Sequence, residues 1–72
     1  METREAVLAV LSEEDAPLHW TMIQDRALRA GWVDPFTTPD VRRAIHDALR
    51  ALVHDGIVDR VATGVYELRG GT

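Results

Sequence analysis

Basic side chains recur at three- and four-residue spacing in the middle of the chain, at Arg43, His46 and Arg50, with Arg42 on their flank. On a helix this spacing puts them on one face, where they can donate hydrogen bonds to phosphate oxygens or base edges. Asp47 lies within the same face. Its spacing from Arg43 and Arg50 also fits weak ion pairs on a solvated helix surface, so the pattern leaves both interpretations open.

The sequence does not assemble a catalytic group or a metal site. Cysteine is absent, Ser12 lies at an acidic helix end, and the three histidines share no common spacing. His46 and His54 are about two helical turns apart, too far to share a metal ion. Neither a glycine-rich phosphate loop nor an apolar cofactor pocket is visible. We expect a protein that is not an enzyme and that needs no cofactor and no metal.

These basic residues belong to a stretch with its own start and stop signals, from Thr37 to Gly56. Thr38 can cap a helix, Pro39 suits the first helical position, and Asp40 complements the positive end of the helix dipole. Gly56 permits the left-handed residue that ends a helix. The spacing predicts a helix over 39–55 with one buried apolar stripe, formed by Val41, Ala44, Ile45, Ala48, Leu49, Leu52 and Val53.

Two shorter helices are predicted before it. The first covers 3–12, with Thr3 as its cap. The second opens at Thr21, which can form a capping box with Gln24, and it closes at Gly31. Its predicted inward residues are Ile23, Ala27, Leu28 and Ala30.

A small sheet is predicted from three extended pieces. Residues 18–20 form a short strand, and the β-rich stretches on either side of Thr63 and Gly64 form a hairpin wing over 57–69. Gly64 can take the positive φ that a tight turn requires. In the connector between the second and third helices, we expect Phe36 to be tucked into the core and to fix how the two helices meet.

The charge of the chain is unevenly distributed. The formal net charge is −4, and every positive side chain is an arginine. Residues 1–25 hold six acids against one arginine, whereas residues 26–72 hold seven arginines against six acids. The protein can therefore present a positive face although its balance is negative. Its nonspecific affinity for a polyanion should be weak and strongly salt-sensitive.

Length and composition predict one domain over 1–69, followed by a linker or tail at 70–72. No apolar run approaches the roughly 20 residues that a membrane span needs. The amino terminus lacks the basic region and cleavage site of a signal peptide. We expect a cytoplasmic, nucleoid-associated protein with no membrane partner.

The predicted order of helix, short strand, helix, turn, long helix and hairpin is that of the winged helix-turn-helix fold. The fold class is α+β, mainly α: three helices plus a small two- or three-stranded antiparallel sheet. Within this fold the chain resembles the HARE-HTH type, through EAVLAVL, PLHW, TTPDVRRAIHDALRAL and DGIVDRVATGVYEL, over 5–68. The resemblance implies DNA binding, since such domains occur beside restriction-enzyme and chromatin-associated modules. A similar domain forms the amino-terminal part of the bacterial RNA polymerase delta subunit.

Two functions follow as expectations. The first is a DNA-binding module of a transcriptional regulator, with helix 39–55 in the major groove of double-stranded DNA and the wing on the adjacent backbone. The second, favoured by the acidic balance, is a protein-interaction module that binds RNA polymerase or another protein and has little DNA affinity. Either protein could be a monomer or a homodimer. The predicted DNA contacts are Thr38, Arg42, Arg43, His46, Arg50 and Arg60.

Overall fold

The computed structural model describes residues 1–70 as three helices and one three-stranded antiparallel sheet. In chain order the elements are α1 (Thr3–Glu13), β1 (Leu18–His19), α2 (Trp20–Arg29), α3 (Val41–His54), β2 (Val58–Ala62) and β3 (Val65–Leu68). This confirms the predicted α+β class and the winged-helix order of elements. None of the helices within residues 1–70 has the length and apolar character that crossing a bilayer requires.

The expected tail over 70–72 is described only at its first residue. Gly70 is exposed and lies in no helix or strand. Residues 71 and 72 lie outside the described part of the chain.

The core lies between the three helices because each presents an apolar stripe to the others. Its buried members are Ala6, Val7, Val10, Leu11, Ile23, Ala27, Val33, Ile45, Ala48, Leu49, Leu52 and Val58. Three residues predicted in the core are exposed instead: Val53, Ala30 and Phe36. Val53 is 37% exposed because it lies at the edge of the α3 stripe. Ala30 is exposed because it follows the last turn of α2 as its C-cap.

The central strand of the sheet is β3, which pairs with β1 on one side and β2 on the other. Leu18 pairs with Tyr66 across the first pair of strands. The β2 register shifts between Arg60 and Ala62, where a bulge interrupts the pairing with β3. Gly64, in the hairpin turn, has a φ of 73°, which confirms the predicted positive φ. The short amino-terminal strand is therefore the third strand that the hairpin needs.

The third helix begins later than predicted because a different side chain caps it. Asp40 is the N-cap of α3, and its carboxylate accepts a hydrogen bond from the Arg43 backbone N–H at 3.0 Å. Thr38 precedes the cap and belongs to the turn before it, where its backbone N–H donates to the Asp34 carbonyl at 2.9 Å. The helix therefore starts at Val41 rather than at residue 39.

The caps of the other two helices also differ from the prediction, although α1 starts at Thr3 as predicted. The second helix begins at Trp20, which we expected in the strand, and His19 caps it by accepting from the Thr21 backbone N–H at 3.3 Å. The expected capping box is wrong, because the buried Oε1 of Gln24 has no hydrogen-bond partner within residues 1–70. Thr3 is the first residue of α1 rather than its cap, and that helix start has no side-chain cap.

The expected burial of Phe36 is wrong, because the side chain is 94% exposed. Its backbone N–H donates to the Asp34 carboxylate at 2.8 Å. The N–H groups of Thr37 and Thr38 donate to the Asp34 carbonyl at 3.1 and 2.9 Å. These bonds form a turn that leaves the ring in solvent. Val33, only 3% exposed, is the connector residue that enters the core instead.

Candidate nucleic-acid interface

The arginines divide into two groups according to whether a carboxylate lies beside them. Arg42, Arg50 and Arg60 are exposed and form no ion pair with another residue of the described chain. They lie on α3 and β2. Positive charge without a compensating carboxylate is therefore concentrated on these two elements. Each of the other five arginines pairs with a carboxylate: Arg4 with Asp55, Arg26 with Glu14, Arg29 with Asp25, Arg43 with Asp47 and Arg69 with Asp59.

A shallow depression follows the exposed face of α3, and both acidic and basic side chains line it. Arg43 Nε lies 3.8 Å from Asp47 Oδ2, and the two side chains are 79% and 59% exposed. A pair this long and this exposed is weak. The Arg43 guanidinium therefore keeps donors for another partner. The lining residues are Asp40, Arg42, Arg43, His46, Asp47 and Arg50.

Trp20 supports the amino-terminal half of this face. The Arg42 guanidinium carbon lies 5.3 Å from the centroid of the indole ring. The ring of His46, one turn further along α3, lies 4.6 Å from the same indole at an interplanar angle of 52°. A cation–π contact of this kind stabilises by about 0.5–1 kcal/mol at an exposed site. It also restricts the conformations that Arg42 can adopt.

Trp20 also fixes the wing turn against α2. Its backbone N–H donates to the Gly64 carbonyl at 2.9 Å. A Cβ on Gly64 would lie 2.9 Å from His19 Nε2 and 3.2 Å from Trp20 Cδ1. The turn and α3 are therefore positioned relative to one another through the same indole. Sequence analysis missed this role because it placed Trp20 in a strand; the available signal was an aromatic residue beside a helix start.

A second depression, which we name the α3–wing groove, separates α3 from the sheet. It has a volume of about 260 Å³ and is lined by His46, Arg50, Val53, Arg60 and Tyr66. Val53 and Tyr66 provide apolar surface, whereas the guanidiniums of Arg50 and Arg60 provide two positive charges. An anionic group of the size of a phosphate is suited to this groove. The lining roles of Val53 and Tyr66 were not predicted, since they depend on how the sheet packs on α3.

Two of the paired arginines brace the fold outside the site. Arg4 Nη2 lies 2.8 Å from Asp55 Oδ2, and this ion pair links the start of α1 to the end of α3. Hydrogen bonds from Arg4 and then from His54 lower the pKa of Asp55 below its usual value. Arg69 Nη2 lies 2.7 Å from Asp59 Oδ1. This hydrogen bond lowers the pKa of the Asp59 carboxyl and raises the pKa of the Arg69 guanidinium.

Most of the predicted site residues lie together. Arg42, Arg43, His46 and Arg50 share the α3 depression, and the last two join Arg60 in the α3–wing groove. Thr38 stands apart, before the helix start, and its backbone N–H is already bonded within the turn. Only its hydroxyl remains for a phosphate. Within residues 1–70 no group of three or more histidine, aspartate or glutamate side chains is arranged to hold a metal ion.

Comparison of the chain with protein-family models, with curated protein sequences and with solved structures finds no match.

Proposed function

We propose that this chain is a DNA-binding winged helix-turn-helix module of the HARE-HTH type, belonging to a transcriptional regulator. In this proposal α3 enters the major groove and the β2–β3 wing lies over the adjacent backbone. The observation that carries the proposal is the segregation of the arginines. Arg42, Arg50 and Arg60 have no carboxylate partner among the described residues, and they flank one surface of α3 and the wing.

The dimensions of the surface support this arrangement. A helix of 14 residues is about 21 Å long at 1.5 Å per residue. A major groove about 12 Å wide admits such a helix. Arg43, on the exposed face, can donate to base edges, and guanine is the base that an arginine contacts in bidentate fashion. Arg42, restrained by Trp20, is suited to a phosphate.

The α3–wing groove suits a phosphate of the neighbouring backbone. Arg50 and Arg60 approach it from α3 and from β2, and His46 adds a third donor. Three arginine contacts to phosphates correspond to a log–log salt slope of about −3. Because the whole chain carries a net charge of −4, we expect binding to be weak at physiological salt and clear only at low salt.

The proposal is tested by fluorescence anisotropy on a labelled random duplex at low salt. Arg50→Ala and Arg60→Ala should each weaken binding and reduce the salt slope by about one. Arg29→Ala is the matched control, since its side chain is 80% exposed, pairs with Asp25 and lines neither the α3 depression nor the groove. Equal losses in all three variants would contradict the proposal, because they would report net charge alone.

A protein-interaction module is the second candidate function. It is favoured by the acidic first third of the chain, where six acids stand against one arginine. Such a surface would recruit RNA polymerase or another protein by a basic patch on that partner. The same titration separates the candidates. Absence of duplex binding at about 100 μM protein in low salt would favour the protein partner, since nonspecific DNA affinities fall at or below that concentration.

A further inference from the structure

Phe36 is the most exposed of the large apolar side chains in the described part of the chain, at 94%. Its exposure is built into the turn rather than left to a loose loop. Hydrogen bonds to Asp34 from three consecutive backbone N–H groups, beginning at Phe36 itself, hold the turn. A rigid aromatic side chain in solvent has the character of an interface anchor, because little conformational entropy is lost when it is buried.

The surroundings of Phe36 restrict the chemistry of its partner. Asp34 and Asp40 lie within four residues on either side, and residues 30–41 contain no arginine or lysine. These carboxylates favour a partner surface that carries positive charge. The complementary surface is an apolar depression with a cationic rim.

The α3–wing groove of the same chain has these properties. Val53 is 37% exposed and lines the groove with Tyr66, while Arg50 and Arg60 supply positive charge and His46 supplies a polar ring. No carboxylate lines it. Three other depressions on the described surface are each lined by at least one carboxylate. Asp47 lines the α3 depression, Glu14 lines a depression between the end of α1 and β3, and Glu13 lines one beside the end of α2.

We propose that two copies of this chain associate, with Phe36 of each copy seated in the α3–wing groove of the other. Phe36 precedes the N-cap of α3 by four residues, and Arg50 follows that N-cap by ten. The groove is therefore about 15 Å along the helix from its start. In the proposed pair, the two α3 helices run antiparallel about a two-fold axis, so that Phe36 of each copy faces the groove of the other. Such a contact is self-complementary and closes at the dimer.

The association is measured by analytical ultracentrifugation of the full chain without DNA, from about 10 μM to about 1 mM, because an interface with only one anchor residue from each copy gives weak affinity. We expect the wild-type chain to move from monomer to dimer over this range. Phe36→Ala and Arg60→Glu should remain monomeric. Both side chains are exposed, so circular dichroism should show an unchanged fold. Met22→Ala is the matched control, since Met22 is also exposed, at 44%, but lies on α2.

Two results would overturn the dimer: a wild-type chain that stays monomeric at the highest concentration, or a dimer that Phe36→Ala leaves undiminished.

The dimer covers Arg50 and Arg60, so excess duplex should dissociate it; this consequence rests on the proposed function. A dimer that forms while no duplex binds would contradict DNA binding and leave the dimer intact. A dimer that persists fully on saturating duplex would contradict the shared surface.

Discussion

Exposure alone does not decide whether an arginine in this chain is free to bind a partner, because an exposed arginine can already have a carboxylate beside it. Arg29 and Arg43 are 80% and 79% exposed, yet each has a carboxylate four residues away along its helix. Arg50 lies three residues after Asp47, but Asp47 pairs with Arg43 instead. The interpretation of a solvated, ion-paired helix surface therefore describes Arg43 and not Arg50. This difference allows an acidic protein to present positive surface.

Asp47 is expected to oppose DNA binding, because its carboxylate borders the α3 depression and competes for Arg43. Asp47→Asn should raise duplex affinity about two- to five-fold at low salt, the range that corresponds to loss of one exposed ion pair. Anisotropy titration measures the change. Asp25→Asn is the control, since it removes the same charge from the Arg29 pair. An equal rise for both variants would count against a local effect at α3.

At the scale of elements, the spacing of apolar residues predicted which face of α3 is buried, and the structure confirms that face. The apolar stripe of α3 and the turn at Gly64 follow from residue spacing and from the one residue that tolerates positive φ. The helix starts were predicted less well, because neighbouring polar side chains compete for the same backbone N–H groups. Asp40 rather than Thr38 caps α3. The outcome depends on the turn around Asp34, which sequence spacing does not specify.

The cap of α3 gives a direct test of that competition. Asp40→Ala should lower the free energy of unfolding by about 0.5–2 kcal/mol, because the Arg43 backbone N–H loses its acceptor. Thr38→Ala should change it by no more than about 0.5 kcal/mol. Urea denaturation followed by circular dichroism measures both. A larger loss for Thr38→Ala than for Asp40→Ala would show that the helix starts elsewhere.

The fixed position of the wing is tested by two glycines with nearly equal φ, 73° at Gly64 and 74° at Gly31. Alanine at either site should cost about 1–2 kcal/mol for the left-handed backbone. At Gly64 the new Cβ would also meet His19 and Trp20, whereas at Gly31 nothing lies within 4 Å. Gly64→Ala should therefore destabilise by about 1–3 kcal/mol more, as overpacking does. Equal urea midpoints would mean that the turn does not press on Trp20.

At the scale of the whole molecule, the site was predictable where one helix carries it. Arg42, His46 and Arg50 were expected together because they share α3. The support from Trp20 and the apolar lining by Tyr66 were not predictable, since they depend on the packing of α2 and the sheet against α3. Packing between elements also pairs Arg4, Arg26 and Arg69 with carboxylates, whereas Arg29 and Arg43 pair within their own helices.

The ion pairs of Asp55 and Asp59 should make stability depend on pH. In the folded protein, a hydrogen bond from Arg4 lowers the pKa of Asp55 and one from Arg69 lowers the pKa of Asp59. An aspartate in the unfolded chain has a pKa of about 3.9. Their stabilisation is therefore present above that value and is lost as pH falls through the folded pKa values. The double variant Arg4→Ala, Arg69→Ala should have a lower urea midpoint than wild type at about pH 7, and the gap should narrow as the pH falls below the unfolded-state value of about 3.9. A gap independent of pH would contradict these pairings.

The central claim is that positive charge left unpaired on α3 and the wing binds duplex DNA. The most direct measurement is the salt dependence of duplex affinity for the wild-type chain and for the double variant Arg50→Ala, Arg60→Ala. We predict a log–log slope of about −3 for the wild type and about −1 for the variant, since two phosphate contacts are lost. No wild-type binding at about 100 μM in low salt, or a slope that the double substitution leaves unchanged, would contradict the claim.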